Sequence, residues 1–186
     1  MAETRSRRRA FYDWTRFAEL AEVRANYRTI GEEARCVLAE LGPTLSTKLG
    51  STYALPLVGE PEERHPVADL VFARARELSP TTSRLLTPVP YVVAFAFSYL
   101  PVGASIPLHE HWNPFLVAAL CLQGGGASHI LVGGERRDFS DGEFVVFDYS
   151  LPHEAHNQGD IDRIVLLVTI NPRLAPKAAP SPSSTA

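Results

Sequence analysis

The stretch Gly142–Ile170, GEFVVFDYSLPHEAHNQGDIDRIVLLVTI, holds three short apolar runs that are separated by Pro, Asn, Gly and Asp. Runs of this length, rich in Val and Phe and ended by turn-forming residues, are typical of β-strands. The same pattern begins after Pro88, with no helical period between the runs, and Gly133-Gly134 and Asp141-Gly142 favour hairpin turns. It predicts about eight strands in an antiparallel double sheet, or jelly roll, at 91–99, 104–111, 115–123, 127–132, 136–139, 143–148, 153–157 and 162–170.

The first part of the chain has a different period. Apolar residues recur at three- and four-residue steps over residues 17–41, which indicates helix. Thr29 and Glu32 form a capping-box pattern, so we predict two helices with a joint near residues 26–29. A third, shorter helix is predicted at 66–78. The expected architecture is therefore mainly β, with two to three N-terminal helices packed on one face of the jelly roll.

Composition narrows the class of protein. The length of 186 residues and the 45% hydrophobic content suit one globular domain, which we place at residues 11–173. A basic start (1–10) and a Pro/Ala/Ser tail (174–186) are predicted to be disordered. The net charge of −3 argues against general nucleic-acid binding, and no apolar run is long enough to span a membrane. Two cysteines and no apolar leader favour a cytoplasmic location.

Four of the six histidines lie in two clusters, at 109–111 and 153–156. Because alternate side chains of a strand share a face, we expect His109 and His111 to point the same way and Glu110 to point the opposite way. A metal site would need a further ligand from another strand. Alternatively, the pair is half-buried and bonded to backbone carbonyls, as in an ordinary strand.

His153 is the expected source of that further ligand, because it follows a strand that could return across a small barrel. Neutral imidazoles suit iron, copper, nickel or zinc and suit magnesium or calcium poorly. Arg163 begins a strongly apolar strand, where its guanidinium either lies at the wet end or clamps a carboxylate inside the barrel. Ser98, within another apolar strand, either bonds the backbone or contacts a ligand.

Three segments carry a resemblance to a known family: Phe97–His109, Gly142–His153, and Asn157 with Asp162–Val168. They resemble the aspartyl/asparaginyl β-hydroxylases, which are iron(II)- and 2-oxoglutarate-dependent oxygenases built on a double-stranded β-helix. The resemblance covers most of residues 11–172, and it is most specific over 142–168.

The resemblance implies roles for four residues. His109 and His153 would bind Fe(II), and Arg163 and Ser98 would hold 2-oxoglutarate. Many members of the family have Gly where this chain has His111, and we expect His111 to be a third ligand. Members also tend to carry Arg and His on the strand after the first ligand, whereas residues 115–122 here contain neither.

The same histidines also resemble the two cupin motifs. Gly103 followed by His109-x-His111 matches the first motif, and Gly142 leading to His153 and Asn157 matches the second. The glutamate expected after the first motif is missing. Cupins share the jelly-roll architecture, so this resemblance agrees with the predicted fold.

The expected function is hydroxylation of a small amino-acid-like or natural-product molecule with O₂, Fe(II) and 2-oxoglutarate. Trp112, Asn113 and His156 are candidates for the substrate pocket. One alternative is a three-histidine cupin-type dioxygenase that does not use 2-oxoglutarate. Another is a β-barrel that binds a metabolite without catalysis.

Overall fold

The computed structural model describes residues 9–41, 53–58 and 66–175. The disorder predicted for the two ends falls mostly on residues outside these ranges. Ala10, which was assigned to the disordered start, is instead buried, and its carbonyl accepts a hydrogen bond from the Asp148 N–H at 3.0 Å. The ordered domain therefore includes a residue before its predicted boundary.

The described strands form two antiparallel sheets, which confirms the predicted jelly-roll fold. The six-stranded sheet has the order β1-β8-β5-β10-β3-β2, and the four-stranded sheet has the order β4-β9-β6-β7. The strands are β1 (Phe11–Tyr12), β2 (Tyr53–Val58), β3 (Val92–Leu100), β4 (Ser105–His109), β5 (Leu116–Gln123), β6 (Ser128–Val132), β7 (Glu135–Asp138), β8 (Phe144–Asp148), β9 (His153–Asn157) and β10 (Arg163–Ile170).

In the described part of the chain, four α-helices precede β3. They are α1 (Leu20–Ala25), α2 (Tyr27–Leu41), α3 (Pro66–Glu77) and α4 (Pro80–Leu86). The joint between α1 and α2 lies at Asn26, within the predicted interval. None of the helices in the described ranges is long and apolar enough to cross a bilayer.

Helix α4 was not predicted, and a distant residue explains why it forms. The Glu33 carboxylate, on α2, accepts hydrogen bonds from the N–H groups of Thr81 and Thr82 at 2.7 and 3.0 Å and from the Thr82 hydroxyl at 2.7 Å. These are N–H groups of the first helical turn, which have no partner within the helix. This short helix begins with Ser79 at its N-cap and Pro80 in its first turn, a local start signal that the prediction overlooked, and Glu33 caps it from another helix.

The alternation along β10 divides the interior into two apolar layers. Ile164, Leu166 and Val168 face the helices and belong to the larger core, whereas Val165 belongs to the smaller core between the two sheets. Side chains on one strand face recur every second residue, so Arg163 and Leu167 share the face of Val165. The head of β10 therefore projects Arg163 into the space between the sheets.

Candidate metal centre

His109 and His153 are brought together by strand pairing. In the antiparallel pair of β4 and β9 the two residues are direct partners, and their ring centroids lie 4.2 Å apart. Directly opposed residues on one sheet face have neighbouring Cβ atoms, so this contact follows from register. The sequence correctly predicted that these two histidines come from separate strands.

His111 joins them by a different route from the predicted one. Strand β4 ends at His109, and residues 110–115 are outside any strand, so strand alternation does not set the direction of His111. Its ring nevertheless turns back to His109, with centroids 5.2 Å apart, and stacks on Tyr149 at 3.8 Å. Ligand atoms of His109, His111 and His153 all lie within 4.8 Å of one another, whereas Glu110 is exposed and outside the cluster.

Backbone carbonyls fix the orientation of two of the rings. The Nδ1 atoms of His109 and His153 lie 2.8 Å from the Pro107 carbonyl and 2.7 Å from the Leu151 carbonyl. A carbonyl only accepts, so each Nδ1 carries the proton and donates it, and each Nε2 keeps its lone pair. This tautomer is the one that a metal ligand needs.

The charge state of His153 also suits a metal ligand. Burial lowers the pKa of His153 to about 4; the bond to Leu151 opposes this shift, and the neighbouring rings of His109 and His111 add to it. His153 is therefore neutral at ordinary pH. Neutral imidazole is the form that binds a metal ion.

A cavity of about 140 Å³ opens beside the histidines, between the two sheets. Its walls are mostly apolar, and its polar groups include a hydroxyl, a guanidinium and two of the three histidines. The lining residues include Ser98, His109, Phe139, Tyr149, His153 and Arg163.

Arg163 is the unusual member of this lining. It is 3% exposed, and its Nε and Nη1 atoms have no hydrogen-bond partner in the described part of the chain. Its guanidinium lies over the Phe139 ring, 4.9 Å from the centroid. Burial lowers the pKa of Arg163 to about 10, opposed by the nearby Cys121, so the group stays charged at neutral pH. A buried cation with unused donors is a strong site for an anion.

Ser98 lies beside Arg163. Ser98 pairs with Val165 across β3 and β10, and Arg163 pairs with Leu100, two residues further along β3. Ser98 is 4% exposed and lines the cavity. Both residues therefore line the same cavity, as expected.

Strand β5 contributes only uncharged groups to the cavity. Val117 and Ala119 line it, in agreement with the absence of Arg and His from residues 115–122. Among the lining residues that the structure describes, Arg163 is thus the one cationic group besides the histidines.

The three residues expected in the substrate pocket do not line this cavity. Trp112 is 92% exposed, and neither it nor Asn113 lines the cavity. His156 lies on the outer face of β9, stacked on His129 with centroids 4.9 Å apart. Alternation along β9 explains this, because His153 and His156 are three residues apart and so face opposite sides.

Sequence reasoning missed the aromatic lining of Phe139, Phe147 and Tyr149. Phe147 and Tyr149 are two residues apart around the end of β8, and alternation from the buried strand could have indicated their common side. Phe139 follows β7 and is brought under Arg163 by tertiary packing, for which the local sequence has no signal.

Clustered histidines and a buried arginine thus lie together in a double-stranded β-helix. The sequence model described as aspartyl/asparaginyl beta-hydroxylase matches residues 24–172. The chain belongs to this family and is therefore a hydroxylating enzyme. No curated protein matches the sequence.

Solved structures agree with the fold. A Pseudomonas putida prolyl-4-hydroxylase is 19% identical, with a TM-score of 0.50 over 80% of this chain and 86% of that chain. Two further structures align over less of the chain. A predicted oxalate decarboxylase from Thermotoga maritima is 24% identical, with a TM-score of 0.38 over 47% of this chain and 72% of that chain. A cupin 2 conserved barrel protein from Salinispora arenicola is 15% identical, with a TM-score of 0.40 over 67% of this chain and 79% of that chain.

Proposed function

We propose that this protein is an iron(II)- and 2-oxoglutarate-dependent oxygenase that hydroxylates a small amino-acid-like or natural-product molecule. One observation carries the proposal. The buried Arg163, with two nitrogens that have no hydrogen-bond partner among the described residues, opens into the same cavity as the histidine cluster. A buried cation with unused donors fits an anionic cosubstrate such as 2-oxoglutarate.

The histidine cluster fits Fe(II). His109 and His153 offer Nε2 lone pairs, and His111 is the third proposed ligand. Imidazole nitrogens suit iron, and three of them leave other positions on a six-coordinate ion for small molecules. When bound, iron and 2-oxoglutarate together supply the activation of O₂, which yields succinate, CO₂ and a hydroxylated product.

Arg163 fits the distal carboxylate of 2-oxoglutarate. A guanidinium donates charge-assisted hydrogen bonds to a carboxylate, and the Nε and Nη1 groups of Arg163 are donors without a partner among the described residues. Ser98 adds a hydroxyl on the same wall. The Phe139 ring packs against one face of the Arg163 guanidinium. The edge of the guanidinium that carries the N–H groups is therefore oriented before an anion binds.

The remaining walls are mostly apolar, with Glu154 as the charged exception. Val117, Ala119 and Val165 face the cavity from the six-stranded sheet, and Ile130 and Ala155 face it from the four-stranded sheet. A dry lining strengthens the attraction between Arg163 and an anion. It also protects the reaction from competing hydrolysis or proton transfer.

The proposal is tested by two measurements on the purified protein. Titration calorimetry of 2-oxoglutarate into the nickel-loaded protein should show binding that weakens in Arg163→Met. Succinate should form when Fe(II), 2-oxoglutarate and O₂ are supplied together, and should not form when any one is omitted. The proposal would be overturned if Arg163→Met bound 2-oxoglutarate as tightly as wild type. It would also be overturned if the metal-loaded protein neither bound 2-oxoglutarate nor formed succinate.

A second candidate is a three-histidine dioxygenase that does not use 2-oxoglutarate. The observation in its favour is the third histidine, His111, together with the lack of a carboxylate in the cluster among the described residues. This candidate predicts that iron is bound while 2-oxoglutarate is not, so the same calorimetric titration separates the two.

A further inference from the structure

His111 lies in a segment whose backbone is not fixed by a sheet. The last residue of β4 is His109, and the chain is outside any strand until β5 begins at Leu116. Strand pairing therefore does not set the direction of the His111 ring. A ligand that is free to rotate would lose more conformational entropy when it binds a metal.

Tyr149 supplies a side-chain contact to the His111 ring. Its ring is parallel to that of His111, with an interplanar angle of 13° and centroids 3.8 Å apart. The same ring lies 5.2 Å from that of His153, so Tyr149 contacts two members of the histidine cluster.

Tyr149 is itself held from both sides. Its N–H donates to the Phe115 carbonyl at 3.0 Å, which joins it to the end of the segment that carries His111. The Asp148 side chain is buried and accepts hydrogen bonds from the Ser150 N–H at 2.9 Å and the Ser150 hydroxyl at 2.6 Å. Tyr149 therefore lies in a tight turn that is held by the hydrogen bonds between Asp148 and Ser150.

We propose that Tyr149 is a positioning residue, whose ring holds the His111 imidazole in the direction required of a third metal ligand. This inference rests on the proposed function, because it assumes that the histidine cluster binds the metal. It makes the three-histidine centre dependent on a residue that is not itself a ligand. The stacking face of the ring, and not its hydroxyl, performs this role.

The test uses Co(II) as the probe, because its affinity and its visible absorption both report the number of nitrogen ligands. Tyr149→Leu removes the ring, and Tyr149→Phe keeps it. We expect Tyr149→Leu to weaken Co(II) binding about tenfold and Tyr149→Phe to leave it within about twofold of wild type. The Co(II) spectrum of Tyr149→Leu should shift toward that of His111→Ala.

A double-mutant cycle distinguishes positioning from general damage to the fold. If Tyr149 acts through His111, adding Tyr149→Leu to His111→Ala should weaken Co(II) binding no further. Phe147→Leu is the matched control: Phe147 lines the same cavity and contacts His153, with centroids 5.4 Å apart, so its effect should be the same with or without His111.

Each outcome has a defined meaning. Equal affinities for wild type and Tyr149→Leu, or a full additional loss in the double variant, would refute the positioning role. If His109→Ala and His153→Ala also bind Co(II) normally, the proposed metal site fails as well. Loss of Co(II) binding in those two variants, with no effect of Tyr149→Leu, refutes the positioning role alone.

Discussion

His109 and His153 face each other directly across two antiparallel strands, with ring centroids 4.2 Å apart and each Nδ1 held by a carbonyl two residues earlier in the chain. Both rings are therefore oriented by their own backbone before any metal binds. Preorganised ligands of this kind lose little freedom on binding.

Replacing either of these histidines by Ala should abolish stoichiometric metal binding. Each substitution removes a ligand whose orientation the sheet fixes, and the remaining two imidazoles form a much weaker site. Metal content after dialysis against Fe(II) or Co(II) measures the effect. His156 lies on the outer face of β9, the strand of His153. His156→Ala is therefore the control and should retain the metal. A His109→Ala protein with one equivalent of tightly bound metal would contradict the assignment.

Arg163→Met should have opposite effects on cosubstrate binding and on stability. Loss of a charge-assisted pair should weaken 2-oxoglutarate binding about 10- to 100-fold. The metal-free protein should unfold at the same or a higher urea concentration, because a buried cation without hydrogen-bond partners is replaced by an apolar side chain. Calorimetry and urea unfolding measure the two effects. Arg136→Met, at an exposed arginine, should change neither.

Gly124→Ala should destabilise the protein by about 1–3 kcal/mol. Gly124 has a φ of +82°, and an added Cβ would lie 2.9 Å from the Arg163 Cα and from the Asp162 carbonyl oxygen. The Arg163 backbone would have to move, so 2-oxoglutarate binding should weaken as well. Gly126→Ala is the matched control, because its Cβ would meet no atom within 4 Å. Equal unfolding midpoints for the two variants would contradict this account.

The metal-free protein should lose stability as the pH falls from about 6.5 to about 4. His153 has a pKa lowered to about 4 in the folded protein, whereas it takes up a proton near pH 6.5 once unfolded. Within that window the unfolded state binds more protons, so acidification favours unfolding, by on the order of 2 kcal/mol after allowance for solvent screening. Urea unfolding at several pH values measures this, and His153→Gln should show a smaller pH dependence. An unchanged dependence in that variant would show that other groups are responsible.

Much of the β-sheet region could be predicted because several of its strands are continuous apolar runs between turn residues. Strands β5, β8 and β10 are of this kind, and their observed bounds lie within a residue or two of the predicted ones. By contrast, β1 has two residues and β2 contains a proline, so neither has a recognisable pattern. Helix α4 has a local start signal in Ser79 and Pro80, but it is only seven residues long, and the contact from Glu33 that caps it comes from another helix.

The candidate site was predictable where strand geometry determines it and unpredictable where loops do. His109 and His153 follow from register, and Arg163 follows from alternation along β10. The inward direction of His111 was expected for a reason that does not apply, since the strand ends before it. Trp112 and Asn113 lie on the same non-strand segment, and their directions depend on tertiary contacts.

The two halves of the candidate site belong to different sheets. His109 and His153 lie in the four-stranded sheet, whereas Ser98 and Arg163 lie in the six-stranded sheet. Between these sheets the separation is set by the volumes of small packed side chains such as Ala119 and Ala155, and not by a backbone ladder. Under the proposed function, a change of a single methyl group in this packing would therefore alter the length of dicarboxylate that the cavity accepts, while every proposed binding residue stays the same.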